Sequence, residues 1–308
     1  AYSFGAEGSR RVETVTPEEF ALLYKDFGYD AALHRDPSSL SYVAEPVEGL
    51  WLLALDSCLY SQNDPAGKPI TEGAFSGEQI AWITEMLSLA QREKKAVIAM
   101  MHHGTVEHHN GQEKHFGEYL VEGWREFSRL LAYHNVRMVF TGHYHAQDIT
   151  KAAFDGTDRF ILDIETGSLV TYPCPVRFVE LETPWTLNIT SRVIDSIDYP
   201  LPAKVSFREY SREYLESRIS GIAVDTLRKL RMKDGEIERL VPQITDAFVA
   251  HYSGDENFQG TEMLSRRNLS LLGHLVVADR KDLVYGLWKD LPTSDNNLTI
   301  NLQTAEAK

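Results

Sequence analysis

The stretch AVIAMMHHG, residues 96–104, decides the fold that the sequence predicts. Six apolar residues run directly into His102 and His103, a pattern typical of a buried strand that ends at a polar edge. A second, largely apolar run, VRMVF at residues 136–140, ends in TGHYH at residues 141–145. Two buried strands therefore each deliver histidines at their C-terminal ends, and open α/β sheets bind ligands at that edge.

The histidines of the two strand ends are expected to converge. His143 and His145 stand at positions i and i+2, which an extended chain places on one face. Gly142 permits a turn just before them, and His102 comes from the neighbouring strand end. Either histidine pair alone is also typical of solvent-facing loops, but the two together favour a site for a metal ion, because imidazole is a common metal ligand.

These two motifs resemble those of a known family. MHHG at residues 101–104 and GHYH at residues 142–145 are similar to the last two motifs of the calcineurin-like metallophosphoesterases. The resemblance extends over about residues 50–182. It implies a two-sheet αββα sandwich of the α/β class, partial here and lacking its N-terminal strands, with a helical C-terminal extension.

The resemblance also implies a chemistry. It assigns His102, His143 and His145 as ligands of two divalent or trivalent metal ions, with Zn, Mn and Fe as the expected metals. The implied reaction is hydrolysis of a phosphate monoester or diester by a metal-bound hydroxide. We expect His103, and His109 on the following loop, to be catalytic, by contacting phosphate or protonating the leaving oxygen.

The sequence departs from the family pattern in its first part. The earlier motifs of the family, Asp-x-His, Gly-Asp with a bridging Asp, and Gly-Asn-His-Asp, do not occur in it. The sequence begins at Ala1, about where the last of these would end. We therefore expect a C-terminal part of a longer enzyme, whose missing N-terminal segment supplies the bridging carboxylate, the Asn ligand and the general acid needed for full activity.

Composition narrows the function classes. The formal net charge of −14 argues against a nucleic-acid scaffold as partner but not against a small phosphorylated substrate, because bound cations invert the local charge. The two cysteines, Cys58 and Cys174, form no Cys-x-x-Cys, so a thiolate zinc site is not expected. The sequence has no apolar run of transmembrane length. We expect a soluble protein of unknown compartment, with a periplasmic or secreted location compatible with a missing N-terminus.

The pattern predicts two domains. Residues 1–198 form the metallophosphoesterase core, and residues 199–308 form a helical extension that begins at YPLP, residues 199–202. We expect the extension to serve packing or a homo-oligomer, with a lid over the substrate as the alternative. His251 and His274 in it are expected to be core or surface residues rather than ligands.

The remaining patterns predict individual elements. Capping boxes begin helices at Thr16 and Ser76, and residues 50–55 form a strand that ends at Asp56. Short strands at residues 160–162, 176–181 and 187–193 predict a second, mainly antiparallel sheet. Histidines 108, 109 and 115 lie on the loop of residues 104–117, and we expect at least one to be exposed.

Two other functions remain open on the sequence. One is a non-catalytic interaction module that lacks half of the family's ligands. The other is a mononuclear metallohydrolase in which Asp56 joins the three histidines, although a turn-capping role for Asp56 is the simpler interpretation.

Overall fold

A computed structural model describes residues 2–5, 8–64, 67–202 and 204–307. The chain divides into two compact units. Unit 1 comprises Ala1–Asp56 and Ser76–Met100, and unit 2 comprises Ser57–Phe75 and Met101–Lys308. The predicted domain boundary near residue 199 lies inside unit 2, and the separation of a core from an extension at that point stays a prediction.

The strands found in the described residues are β1 (Tyr2–Gly5), β2 (Gly8–Arg11), β3 (Ala32–Arg35), β4 (Tyr42–Val47), β5 (Leu50–Ala54), β6 (Ala96–Met100), β7 (Met138–Thr141), β8 (Asp148–Ala153), β9 (Phe160–Glu165), β10 (Pro175–Thr183), β11 (Thr186–Val193) and β12 (Asn297–Asn301).

The α-helices of the same residues are α1 (Pro17–Leu23), α2 (Gly77–Glu93), α3 (Gln112–Phe116), α4 (Trp124–Tyr133), α5 (Phe207–Lys229), α6 (Asp234–Ser253) and α7 (Leu271–Leu287). Among them we find none whose length and apolar content would let it cross a lipid bilayer. The mixed α/β class that the sequence predicts is confirmed.

Unit 1 contains the first of the two histidine-delivering strands. Strands β3, β4 and β5 pair antiparallel, and β6 pairs parallel to β5. Helix α2 connects β5 to β6 and begins at Ser76, whose side chain and Gln79 form the predicted capping box. Its apolar residues Ile83 and Leu87 are fully buried, so the helix is stabilised by packing of one face.

Unit 2 contains the second histidine strand. Strand β7 pairs parallel with β9, and β8 pairs antiparallel with β9 on its other side. All six residues of β9 are buried, as expected for a central strand. The expectation that residues 160–162 belong to the second sheet is wrong, because they lie in β9 between β7 and β8. A strand buried on both faces has no alternation of apolar and polar residues that would indicate its sheet.

The second sheet of unit 2 is antiparallel, in the order β10-β11-β12. The sequence predicts its first two strands but not β12, which follows the last helix in the chain. Leu298 and Ile300 of β12 point inward while their neighbours are exposed, a two-residue period in only five residues. The region after residue 199 is therefore rich in helix, as predicted, but also completes a sheet.

The helices of unit 2 pack around a core of their own. Helices α5, α6 and α7 enclose Leu227, Leu240, Val277 and Leu287, all buried. The last helix of the described residues, α7, runs unbroken from Leu271 to Leu287. This core lies in the same unit as the histidines that follow β7.

Candidate metal centre

Backbone hydrogen bonds in unit 2 join the ends of the two histidine-bearing runs. The amide of Met101 donates to the carbonyl of Phe140 at 2.9 Å, and the amide of Gly142 donates to the carbonyl of His102 at 3.1 Å. The imidazole rings of His102 and His143 consequently lie with their centroids 4.4 Å apart. The predicted meeting of these two histidines is what the structure shows.

The backbone that brings His143 and His145 to the site is not extended. Both residues have a left-handed conformation, with φ of 74° and 67°. The amide of Tyr144 donates to the carbonyl of Gly142 at 2.9 Å, which closes a three-residue turn around His143. The argument that an extended chain places both histidines on one face is therefore wrong. Strained turns of this kind are concentrated at functional sites.

The carbonyl oxygen of Thr71 fixes the protonation pattern of two rings. It lies 2.9 Å from Nε2 of His103 and 2.9 Å from Nε2 of His143. Because a carbonyl can only accept, both Nε2 atoms carry the proton in the neutral rings. The Nδ1 atom of His143 therefore has a free lone pair, the arrangement common in metal-binding histidines whose other nitrogen donates to a carbonyl.

Among the four histidines at the ends of the two runs, His103 is the least exposed, at 1%. Its Nδ1 lies 2.8 Å from Oγ of Ser57, so that the serine hydroxyl donates to it while Nε2 donates to Thr71. A Cβ added at Gly73 would lie 2.3 Å from the same Nδ1. The loop thus approaches the ring so closely that only glycine fits at position 73.

The other contacts of the group come from side chains. Nδ1 of His145 lies 3.0 Å from Oγ1 of Thr171. The ring of Tyr119 lies 4.6 Å from that of His143, and burial raises the pKa of the Tyr119 hydroxyl. We call His102, His103, His143 and His145 the histidine cluster.

The ligand candidates of the histidine cluster are neutral near pH 7. His102 is exposed, yet neighbouring atoms desolvate part of its ring, and together with His143 and His145 they lower its pKa to about 4. Burial, His103 and His145 lower the pKa of His143 to about 4 as well. Burial also lowers the pKa of His145. Neutral imidazoles keep a lone pair for a cation, so protons do not compete with metal there.

His109 lies in a different environment. It is fully buried, and its ring contacts Phe116, Tyr144 and His251 at centroid distances of 6.2, 5.9 and 5.1 Å. Burial, with His251, lowers its pKa to about 3. Its catalytic assignment stays a prediction, and its contact with Tyr144 connects it to the residue between His143 and His145.

The expectation that one of the three loop histidines is exposed is wrong. His108 and His109 are buried, and Nε2 of His115 lies 3.3 Å from a carboxylate oxygen of Asp282 in α7, with the imidazole side chain only 3% exposed. Sequence reasoning misses this because the residues that cover the loop come from α6 and α7, far along the chain.

A buried network of acids and histidines begins at His108. Its Nδ1 lies 2.6 Å from Asp148, and its Nε2 lies 3.3 Å from Asp163. Burial alone would lower the pKa of His108, but the two carboxylates hold it well above its ordinary value. Burial raises the pKa of the nearby Glu165 to about 8, against the lowering effect of His108.

Two groups of three donor atoms lie within 4.8 Å of one another in the part of the chain that the structure describes. One is Asp148, His251 and Glu256, and the other is Asp255, Asp290 and Asp295. His102, His143 and His145 are close neighbours without being gathered around a single point. The sequence predicts a core or surface role for His251, because nothing in the sequence joins it to Asp148, about a hundred residues earlier.

Asp56 belongs to unit 1. Its carboxylate accepts from the amide of Leu40 at 3.2 Å, and its carbonyl accepts from the side chain of Gln79 at 3.0 Å. These contacts support a structural role at the end of β5, and a role as metal ligand stays untested. Thr71, Ser57 and Thr171 are absent from the sequence predictions, and the signal of Thr71 is a backbone carbonyl, which no side-chain pattern encodes.

The comparisons with known proteins find weak likenesses. No protein-family model matches the sequence, and a search of curated proteins finds no match either. Among solved structures, a dimetal phosphatase from Danio rerio is 13% identical with a TM-score of 0.42, over 58% of this chain and 65% of that chain. A purple acid phosphatase from yellow lupin (Lupinus luteus) seeds is 10% identical with a TM-score of 0.35, over 50% of this chain and 30% of that chain. The chain thus spans less than two thirds of either structure, and at these scores the likeness assigns no activity.

Proposed function

We propose that His102, His143 and His145 of this chain are ligands of a centre of two metal ions that hydrolyses phosphate esters, with the bridging carboxylate, the Asn ligand and the general acid supplied by motifs outside this sequence. The observation that carries the proposal is the pairing of the His102 and His143 rings, 4.4 Å apart, at the ends of two apolar runs. The resemblance of MHHG and GHYH to metallophosphoesterase motifs adds the reaction class.

The donor set fits metal ions. Three imidazoles supply nitrogen ligands, and the low pKa values of His102 and His143 keep them neutral at physiological pH. The Thr71 carbonyl orients His143 so that Nδ1 is its free ligand atom. Because the three rings are not gathered around one point, they suit two cations better than one. When bound, such ions supply positive charge for phosphoryl oxygens and make water more acidic.

The enclosed histidine of the cluster holds the site in shape. His103 joins the loop at Ser57 and Thr71 to the strand end, and its ring lies 4.8 Å from that of His143. A proton on Nε2 of His103 is held at the Thr71 carbonyl. We propose that His103 contributes to catalysis by keeping this loop against His143.

The second predicted catalytic residue acts at a greater distance. His109 contacts the buried ring of Tyr144, which is flanked in sequence by His143 and His145. We propose that His109 is a positioning residue that keeps the left-handed turn in place. Its test is the dependence of kcat and KM on His109→Gln, since a positioning role lowers kcat without removing metal.

The substrate is proposed to be a small phosphorylated molecule. The net charge of −14 disfavours long polyanions, whereas local cations permit a single phosphate ester. Zn, Mn and Fe are the proposed metals, since imidazole ligands suit all three.

The proposal is tested by metal content and activity on one preparation. The full-length protein is expected to bind two ions per chain in addition to any structural ion, and to hydrolyse p-nitrophenyl phosphate or its bis ester. The double variant with His102→Ala and His143→Ala is expected to lose both. His274→Ala, on the exposed face of α7, is the control. Equal turnover in the double variant and wild type would refute the proposal, and loss of a single ion would favour a mononuclear site.

A further inference from the structure

The buried group of Asp148, His251 and Glu256 has acceptors without donors. Asp148 uses Oδ1 to accept from His108 at 2.6 Å and from the hydroxyl of Thr150 at 2.9 Å. Its Oδ2 has no hydrogen-bond partner among the described residues, although the residue is 1% exposed. A buried carboxylate oxygen without a donor is costly and calls for a missing partner.

The second carboxylate of the group repeats this feature. Oε1 of Glu256 lies 2.5 Å from Nδ1 of His251, whereas Oε2 has no partner in the part of the chain that the structure describes. The same Nδ1 lies 4.0 Å from Oδ2 of Asp148. Two carboxylates thus lie near the same imidazole nitrogen, and each has an oxygen that no donor of the described residues reaches.

Acidic side chains outnumber basic ones around this group. Asp148, Asp163, Glu165, Glu256 and Asp295 are all nine-tenths or more buried in unit 2. The cationic side chains near them are His108 and Arg177, and Arg177 donates Nη2 to the backbone carbonyl of Asp148 at 3.3 Å rather than to a carboxylate. Buried charge has to be balanced locally, and this region has more acid than base.

The neighbouring group of three aspartates is a weaker candidate. Asp295 accepts from the amides of Ile149 and Asp255 at 2.8 and 2.6 Å, and Asp255 accepts from the amide of Asp295 at 2.9 Å. The carboxylates of Asp255 and Asp295 therefore have donors in the chain itself, Asp255 is exposed, and Oδ1 of Asp290 is the one buried oxygen of this group that has no partner among the described residues. In the group that contains His251, both carboxylates have a buried oxygen without a donor.

We propose that Asp148, His251 and Glu256 form a buried site for one structural divalent cation, with Zn²⁺ as the expected ion. One imidazole and two carboxylates are a donor set that Zn²⁺ accepts in proteins. The cation would lie between the β8 strand, which carries Asp148, and the end of α6, which carries His251. It would therefore connect helix α6 to strand β8, which follows the histidine cluster in the chain.

The test separates this site from the histidine cluster. The double variant with His102→Ala and His143→Ala removes two ligands of the proposed catalytic centre. After chelator treatment, reloading with ZnCl₂ alone and gel filtration, it is expected to retain one zinc per chain by plasma mass spectrometry. Adding Glu256→Gln to the double variant is expected to lower the Zn²⁺ affinity at least about tenfold, the lower end of what even an outer-sphere partner contributes.

Glu256→Gln preserves the shape of the side chain. It is therefore the better test than His251→Ala, which removes a buried ring and risks a failure to fold. A second readout is the visible absorption of Co²⁺ in place of Zn²⁺, which is expected to change in Glu256→Gln and to be unaffected in the control His274→Ala. Zinc retention that is the same with and without Glu256→Gln, or a double variant that holds no zinc at all, would overturn the site. Because the histidine cluster is disabled throughout, failure of this proposal is distinguishable from failure of the phosphoesterase proposal.

Discussion

The histidine cluster and the buried Asp148, His251 and Glu256 group both gather potential metal ligands in unit 2, but they differ in access and in charge. The ligand candidates of the cluster are neutral imidazoles, of which His102 is exposed, and a backbone carbonyl sets the tautomer of His143. The buried group is acidic and closed to solvent. An open neutral site can exchange substrate, whereas the carboxylates of a closed acidic group need a cation or a proton to balance their charge.

The largest effect is expected from breaking the buried group. His251→Ala leaves Oε1 of Glu256 without its hydrogen-bond partner and removes a buried ring, and deleting a buried aromatic side chain costs about 3–5 kcal/mol. Urea unfolding followed by circular dichroism measures this loss. If His251→Ala unfolded at the same urea concentration as wild type, the buried group would not contribute to stability as proposed.

The next effect concerns pH and Glu165. Its folded-state pKa of about 8 is above the unfolded value of 4.5, so the folded chain binds more protons between these values and its stability falls as pH rises through them. In chelator-treated protein, Glu165→Gln is expected to remove a decline on the order of 4 kcal/mol between pH 4.5 and 8. Unfolding free energies at four pH values measure it, with the exposed Glu122→Gln as control. Parallel curves for wild type and Glu165→Gln would contradict it.

A third change acts on the open region. His143→Ala removes a proposed ligand and the hydrogen bond to Thr71, and the proposed phosphoesterase activity is expected to fall at least about a hundredfold, the upper end of the loss seen for outer-sphere partners. Its thermal unfolding should change far less than that of His251→Ala, because the ring is only partly buried. A variant that loses stability and activity in equal measure would erase the contrast between the regions.

The close approach at Gly73 gives a smaller effect. Gly73→Ala places a methyl group 2.3 Å from Nδ1 of His103, so the ring must move away from Ser57 or the loop must shift. Overpacking of this kind costs about 1–3 kcal/mol. Gly117→Ala is the matched control, since a Cβ there meets open space. Equal losses of thermal stability in both variants would show that the close approach at Gly73 does not cause the effect.

The smallest effect is expected at Thr171. Thr171→Val preserves the shape of the side chain but removes the hydroxyl 3.0 Å from Nδ1 of His145. Loss of such an outer-sphere partner typically lowers metal affinity roughly tenfold. Thr171→Ser, which restores the hydroxyl, should recover the wild-type affinity in a metal titration, and a failure to do so would show that packing rather than hydrogen bonding matters there.

The sequence predicts those features whose cause is local. Capping residues at Thr16 and Ser76 predict the starts of α1 and α2, and apolar runs predict β5 and β6. The meeting of His102 with His143 also follows from neighbouring strand ends. The left-handed turns at His143 and His145 could not be predicted, because their φ values depend on hydrogen bonds formed only after the chain has folded.

Features that depend on distant parts of the chain are the ones that the sequence analysis misses. The burial of His109 requires α6 and α7, whose residues lie more than a hundred positions later. Strand β12 is recognised only through its pairing with β11. The same separation hides the group of Asp148, His251 and Glu256, because Asp148 lies about a hundred residues before the other two.

The Thr71 carbonyl has a consequence for how this protein should respond to mutational scanning. Because the acceptor that orients His103 and His143 belongs to the main chain, replacing the Thr71 side chain leaves that oxygen in place. Position 71 should therefore tolerate substitution in a library of variants, whereas Gly73 should tolerate almost no other amino acid. The backbone path of the loop, rather than its side chains, determines the orientation of these two rings.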